Sequence, residues 1–100
     1  MNNLQIALQD GFENDSVIIL VNGRELYNKS GVTTNRVISL ADTVTCSVDT
    51  LSAVIQVDVT SKNIRGNRDV LVSEFPFVAV GVGKGNVVEI IPSKESFRYC

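Results

Sequence analysis

A chain of 100 residues with 44% apolar and 20% charged side chains has the material for one buried core and lies outside the disordered class. Nine basic against eleven acidic residues leave a net charge of −2, which excludes the strong positive field of a general nucleic-acid binder. With no histidine anywhere, a Ser-His-Asp triad and a Cys-His pair are excluded as well.

Val, Ile and Thr fall in short runs that alternate with polar residues and stop at Gly, Asn or Asp, the pattern of half-buried strands. Leu4, Ile6 and Leu8 alternate with Gln5, Ala7 and Gln9, which predicts a first strand with one face in the core. After the loop 10–15, the unbroken run Val17-Ile18-Ile19-Leu20-Val21 predicts a central strand covered on both faces. Asn22-Gly23 is a type I′ hairpin signal, because both residues tolerate positive φ, and it predicts a return strand over 24–28. Short strands follow at Val37–Leu40 and at 44–48, where Val44, Cys46 and Val48 share a face, and 55–59 returns from the turn at 49–52. Lys62–Asn67 reads as a long polar loop before a strand at Val70–Ser73. Pro76 interrupts the next apolar stretch, Phe77–Val82 and Val87–Ile91 form the last two strands, and Pro92 ends the second.

About eight strands with turns every ~8–12 residues predict an all-β fold, an immunoglobulin-like two-layer antiparallel β-sandwich, with a small β-barrel as the alternative. Residues 1–92 form the single domain and 93–100 a loosely held tail. The opening Met1-Asn2-Asn3-Leu4-Gln5 has no basic region and no apolar run of signal-peptide length, and no segment is long enough to span a bilayer. The expectation is a soluble cytoplasmic protein in which Cys46 and Cys100 remain thiols. In that setting the sequons at Asn14 and Asn28 carry no weight.

Three segments offer chemistry. Asp10, Glu13, Asn14 and Asp15 bring hard oxygen ligands into one loop, as a calcium site requires, although their spacing matches no defined calcium loop and a solvated connection explains the same residues. Lys62, Arg65 and Arg68 place three cations within one short stretch, a pattern that can contact phosphates, but no aromatic residue interleaves with them for base stacking. Val87, Val88, Glu89 and Ile90 read as an edge strand able to pair with a second chain. Gly81-Val82-Gly83-Lys84-Gly85-Asn86 superficially suggests a phosphate loop; a strand follows instead of the helix such a loop opens, so the glycines are hairpin residues. The acids are scattered, no cofactor motif is present, and catalysis is not expected.

Gln9-Asp10-Gly11-Phe12, Val21-Asn22-Gly23-Arg24-Glu25, Gly31-Val32-Thr33-Thr34 and Leu40-Ala41-Asp42 resemble short bacterial proteins made of a single β-sandwich domain. The likeness covers about a third of the chain, implies a small stand-alone domain and transfers no activity. The function expected is a non-catalytic protein-interaction or self-assembly module, with a protein partner or a second copy bound at an edge strand or at loops. The alternative is a calcium- or ligand-binding sandwich using the loop 10–15.

Overall fold

A computed structural model of the chain describes residues 2–97. Its strands are β1 (Asn2–Leu8), β2 (Asp15–Val21), β3 (Arg24–Val32), β4 (Asp42–Val48), β5 (Ala53–Val59), β6 (Ile64–Val70), β7 (Phe77–Gly83) and β8 (Val87–Ser93), with a single 3-10 turn at Thr60–Lys62. They make two four-stranded sheets, ordered β4-β1-β7-β8 and β3-β2-β5-β6. Alternation sets the layers. Leu4, Ile6, Leu8, Val78 and Val80 of the first sheet share one core with Val17, Ile19, Ile55, Val57 and Val59 of the second. The result is a two-layer β-sandwich. Its pairings are antiparallel except between β1 and β7, which run parallel with Ala7 beside Ala79. Among the described residues no helix is long and apolar enough to cross a membrane.

The Asn22-Gly23 signal holds: both residues have positive φ, 53° and 80°. The return strand β3 runs well past Asn28 to Val32, and a register shift between Ile19 and Leu20 lets Leu26 stand as an extra residue opposite β2. At the β7–β8 turn Gly85 and Asn86 take positive φ, as hairpin residues do. The strand β2 is central, but only its inner row is fully buried; Ile18 and Leu20 on the outer face are half-buried.

Four sequence expectations are corrected. Val37–Leu40 is a turn, closed by a bridge between Asn35 and Leu40, with Ser39 at φ 56° and Val37 86% exposed at its tip. Much of the supposed loop 62–67 belongs to β6, whose inward row of Ile64, Gly66, Arg68 and Val70 is poor in apolar side chains. A Cβ at Gly66 would lie 2.9 Å from the Val88 side chain, so glycine here allows the edges of the two sheets to approach. The strand expected at Val70–Ser73 ends at Val70, and Leu71 O accepts from Glu74 N–H and Phe75 N–H in the following turn. Finally, Pro92 lies inside β8 and does not end it. In the segment that follows, the Lys94 ammonium sits 5.7 Å from the centre of the Phe75 ring. Cys46 is a free thiol, and Cys100 lies outside the described residues.

Candidate functional site

The loop 9–14 closes one end of the sandwich. Phe12 is buried to 2% and plugs the core, and Gly11 turns the chain into it at φ 92°. Thr34 stitches the loop from the far side: its hydroxyl donates to Gln9 O, 2.5 Å, and accepts from Phe12 N–H, 3.1 Å, while its own N–H donates to Phe12 O, 2.9 Å. Asp15 turns inward. Its carboxylate pairs with the Lys62 ammonium and accepts from the Ser61 hydroxyl at 2.6 Å and Glu13 N–H at 2.8 Å. Burial pushes the Asp15 carboxyl up, but those donors and the Lys62 charge outweigh it and hold its pKa below the usual carboxylate value.

The oxygen ligands expected to converge are therefore divided. Asp15 is spent on Lys62, and Glu13 reaches outward to Arg36 at 3.2 Å. Among the described residues no three Asp, Glu, Cys or His side chains lie close enough to hold a metal ion. The three cations do not converge either. Lys62 belongs to Asp15, Arg65 pairs with Asp58 at 2.6 Å on the outer face of β6, and the Arg68 guanidinium donates to Ile90 O at 2.9 Å. Sequence reasoning set Asp15 and Lys62 in two different candidate sites, whereas in the fold they are one ion pair.

The strand edges differ in how they are guarded. On β8, pairing with β7 leaves the backbone groups of Val88, Ile90 and Pro92 facing outward. Arg68 occupies Ile90 O, and Pro92 has no N–H to offer. The candidate Val87–Ile90 does lie on an edge strand, but that edge is partly closed. Outward positions on β6 carry Arg65, Asn67 and Asp69, and β3 is broken by its register shift and carries Arg24, Glu25 and Lys29.

The edge of β4 is guarded at its start, by Asp42, and lies more open beyond it. Gln5 and Gln9 N–H donate to Pro76 O and Val80 O, at 2.9 and 2.7 Å, so alternate residues of β1 face β7 and the others face β4. Cys46 and Val44, opposite Leu4 and Ile6, thus spend their backbone groups on β1, while Thr43, Thr45 and Ser47 point theirs away from the sheet. Asp42 Oδ1 accepts from Thr43 N–H at 2.9 Å. Among the described residues no strand pairs with the outward groups of Thr45 and Ser47. Residues 43–48 contain no charge, proline or glycine, and no register shift interrupts them.

Beside this edge the two sheets splay. A cleft of about 430 Å3 opens between β3 and β4, lined by Val21, Leu26, Cys46 and Val48 with Arg24, Glu25 and Asp49 at its rim. The strands β3 and β4 are also joined by a polar clasp, where the Tyr27 hydroxyl donates to Asp42 Oδ2 at 2.8 Å and the Lys29 ammonium reaches the same oxygen at 3.2 Å. Burial raises the Asp42 carboxyl, yet the Tyr27, Lys29 and Thr43 donors bring it below its usual value. The Tyr27 hydroxyl is pushed well above the ordinary phenol range, by burial first and then by the Asp42 carboxylate. Burial also raises the Cys46 thiol, the opposite of what an activated nucleophile needs.

No protein-family model, no curated protein and no solved structure matches the chain.

Proposed function

We propose that the protein is a non-catalytic interaction module that binds its partner by strand addition at the β4 edge. One observation carries the reading: among the described residues no strand pairs with the outward N–H and C=O groups of Thr45 and Ser47, on a stretch without charge, proline or glycine, while β3, β6 and β8 are broken, charged or capped. An extended chain added there gains main-chain hydrogen bonds, and its alternate side chains can enter the apolar cleft beside β4. Natural sheets protect edges against this kind of pairing, so an edge left open in a sandwich that guards its others is a surface kept for a partner.

The test is a titration of dilute isotope-labelled protein with a panel of extended peptides of alternating Val and Thr, one of them the β4 sequence. Amide shifts centred on Thr43, Thr45 and Ser47 are expected. Shifts centred on another element, or none with any peptide, would remove β4 as the binding element.

A further inference from the structure

We infer that the partner at the β4 edge is a second copy of this chain, added antiparallel across a two-fold axis at Cys46; the inference rests on the strand-addition reading above. The argument is self-complementarity. With the axis at Cys46, Thr45 of each copy stands opposite Ser47 of the other, and these are the residues whose backbone groups face outward without a partner in the sheet. On the inner face Val44 meets Val48 of the second copy and Cys46 meets its own counterpart, so an apolar row, Val44-Cys46-Val48, reads the same in both directions. A register centred one residue earlier would set Asp42 against Val48 and lose that match.

Charge does not oppose the same register. Lys29 is held at Asp42, at the start of β4. An antiparallel copy brings that end alongside the Asp49–Thr50 end of its neighbour, where Glu25 and Asp49 line the cleft with Arg24. Each copy thus brings a neutral Lys29–Asp42 pair to the rim of its neighbour, so the ammonium is accompanied by a carboxylate and the register is set by the apolar row and the backbone groups. The product is one continuous sheet running β8-β7-β1-β4 and on through β4, β1, β7 and β8 of the second copy, with both exposed β4 edges removed.

The experiment is light scattering on the reduced full chain across micromolar concentrations, with two variants and one cross-link. Wild type is expected at twice the 10.9 kDa chain mass. Thr45→Pro removes an outward N–H that no strand of the chain uses, and is expected to run as a monomer. Should that variant fail to fold, Thr45→Lys/Ser47→Lys keeps the backbone intact and sets ammonium groups against one another in both Thr45–Ser47 pairs, again giving a monomer. Residues opposite each other in a non-hydrogen-bonded pair have Cα atoms about 4.5 Å apart, within the span of a disulfide. In Cys100→Ser protein, copper-phenanthroline at alkaline pH should therefore couple the two Cys46 thiols, which give up two protons and two electrons to the oxidant as the S–S bond forms. A wild-type monomer, a dimer that survives either folded variant, or a dimer that yields no Cys46 cross-link overturns the inference. If wild type is monomeric while the peptide panel still shifts Thr45 and Ser47, only the second copy is refuted; if the panel also fails, the edge reading falls with it.

Discussion

Lys62→Met tests how the loop end of the sandwich is held. The side chains of Asp15 and Lys62 are only 4% and 24% exposed, so methionine keeps the stem's packing while leaving a carboxylate buried without its cation. Removing one member of a buried pair costs about 3–5 kcal/mol. The Ser61 hydroxyl and Glu13 N–H remain as donors to Asp15, which puts the expected loss near the low end, about 3 kcal/mol. For a domain of this size that is a fall in Tm of roughly 12–24 °C, read by urea and thermal melts at neutral pH. The pH dependence has a definite sign. In the wild type the folded Asp15 pKa lies below its ordinary 3.8, so its contribution is complete above that value and disappears as pH falls through the folded pKa. In the variant, loss of the Lys62 hydrogen bond and charge moves the folded pKa of Asp15 up from its wild-type position, so the carboxylate takes up its proton earlier as pH falls. The gap between wild type and variant should therefore narrow as pH drops from neutrality through the ordinary carboxylate range. A variant within about 0.5 kcal/mol of wild type at neutral pH, a change typical of unremarkable surface positions, would refute the reasoning. So would a gap that stays constant into acid.

Gly11→Ala forces a Cβ to 2.2 Å from Val82 O at φ 92°, whereas Gly23→Ala, at φ 80°, meets nothing within 4 Å. Chemical denaturation should give about 1 kcal/mol for Gly23→Ala and clearly more, at least about 2 kcal/mol, for Gly11→Ala; equal losses would show that the close approach to Val82 does not matter. Tyr27→Phe removes one donor to Asp42 and should cost about 1 kcal/mol. It should also raise the Asp42 pKa, and a side-chain NMR titration that finds it unmoved would contradict the clasp. In Cys100→Ser protein, the pH midpoint of Cys46 alkylation should lie above the ordinary 9.0, and a midpoint below that value would be inconsistent with a buried thiol.

Strands whose alternation is carried by large apolar residues were legible in the sequence. Leu4-Ile6-Leu8 and Ile55-Val57-Val59 each announce a buried row, and Asn22-Gly23 announces the turn it makes. The strand β6 was hidden because its inward row includes Gly66, demanded by the approach of Val88, and Arg68, whose head group leaves the core for Ile90 O. Its outward row of Arg65, Asn67 and Asp69 looks like a loop when read alone. The reverse error arose at Val37-Ile38-Ser39-Leu40, where β-branched composition suggested a strand but Ser39 takes a left-handed conformation. The loop-end ion pair was out of reach for another reason: Asp15 and Lys62 are remote in sequence and meet only once the 3-10 turn after β5 is set beside β2. The contrast between edges was equally hidden, since whether Thr45 or Ile90 points its backbone outward depends on strand order and register.

The parallel joint between β1 and β7 governs the order in which this molecule can be assembled as it is synthesised. Every strand of the β3-β2-β5-β6 sheet has been made by Val70, and all of its pairings are antiparallel. The other sheet cannot close until Phe77–Gly83 arrives to lie beside β1, so until then β1 has β4 alone beside it within its own sheet. The β1 layer therefore stays unfinished until β7 is made, and pairing across so long a stretch of chain is of the kind that forms slowly.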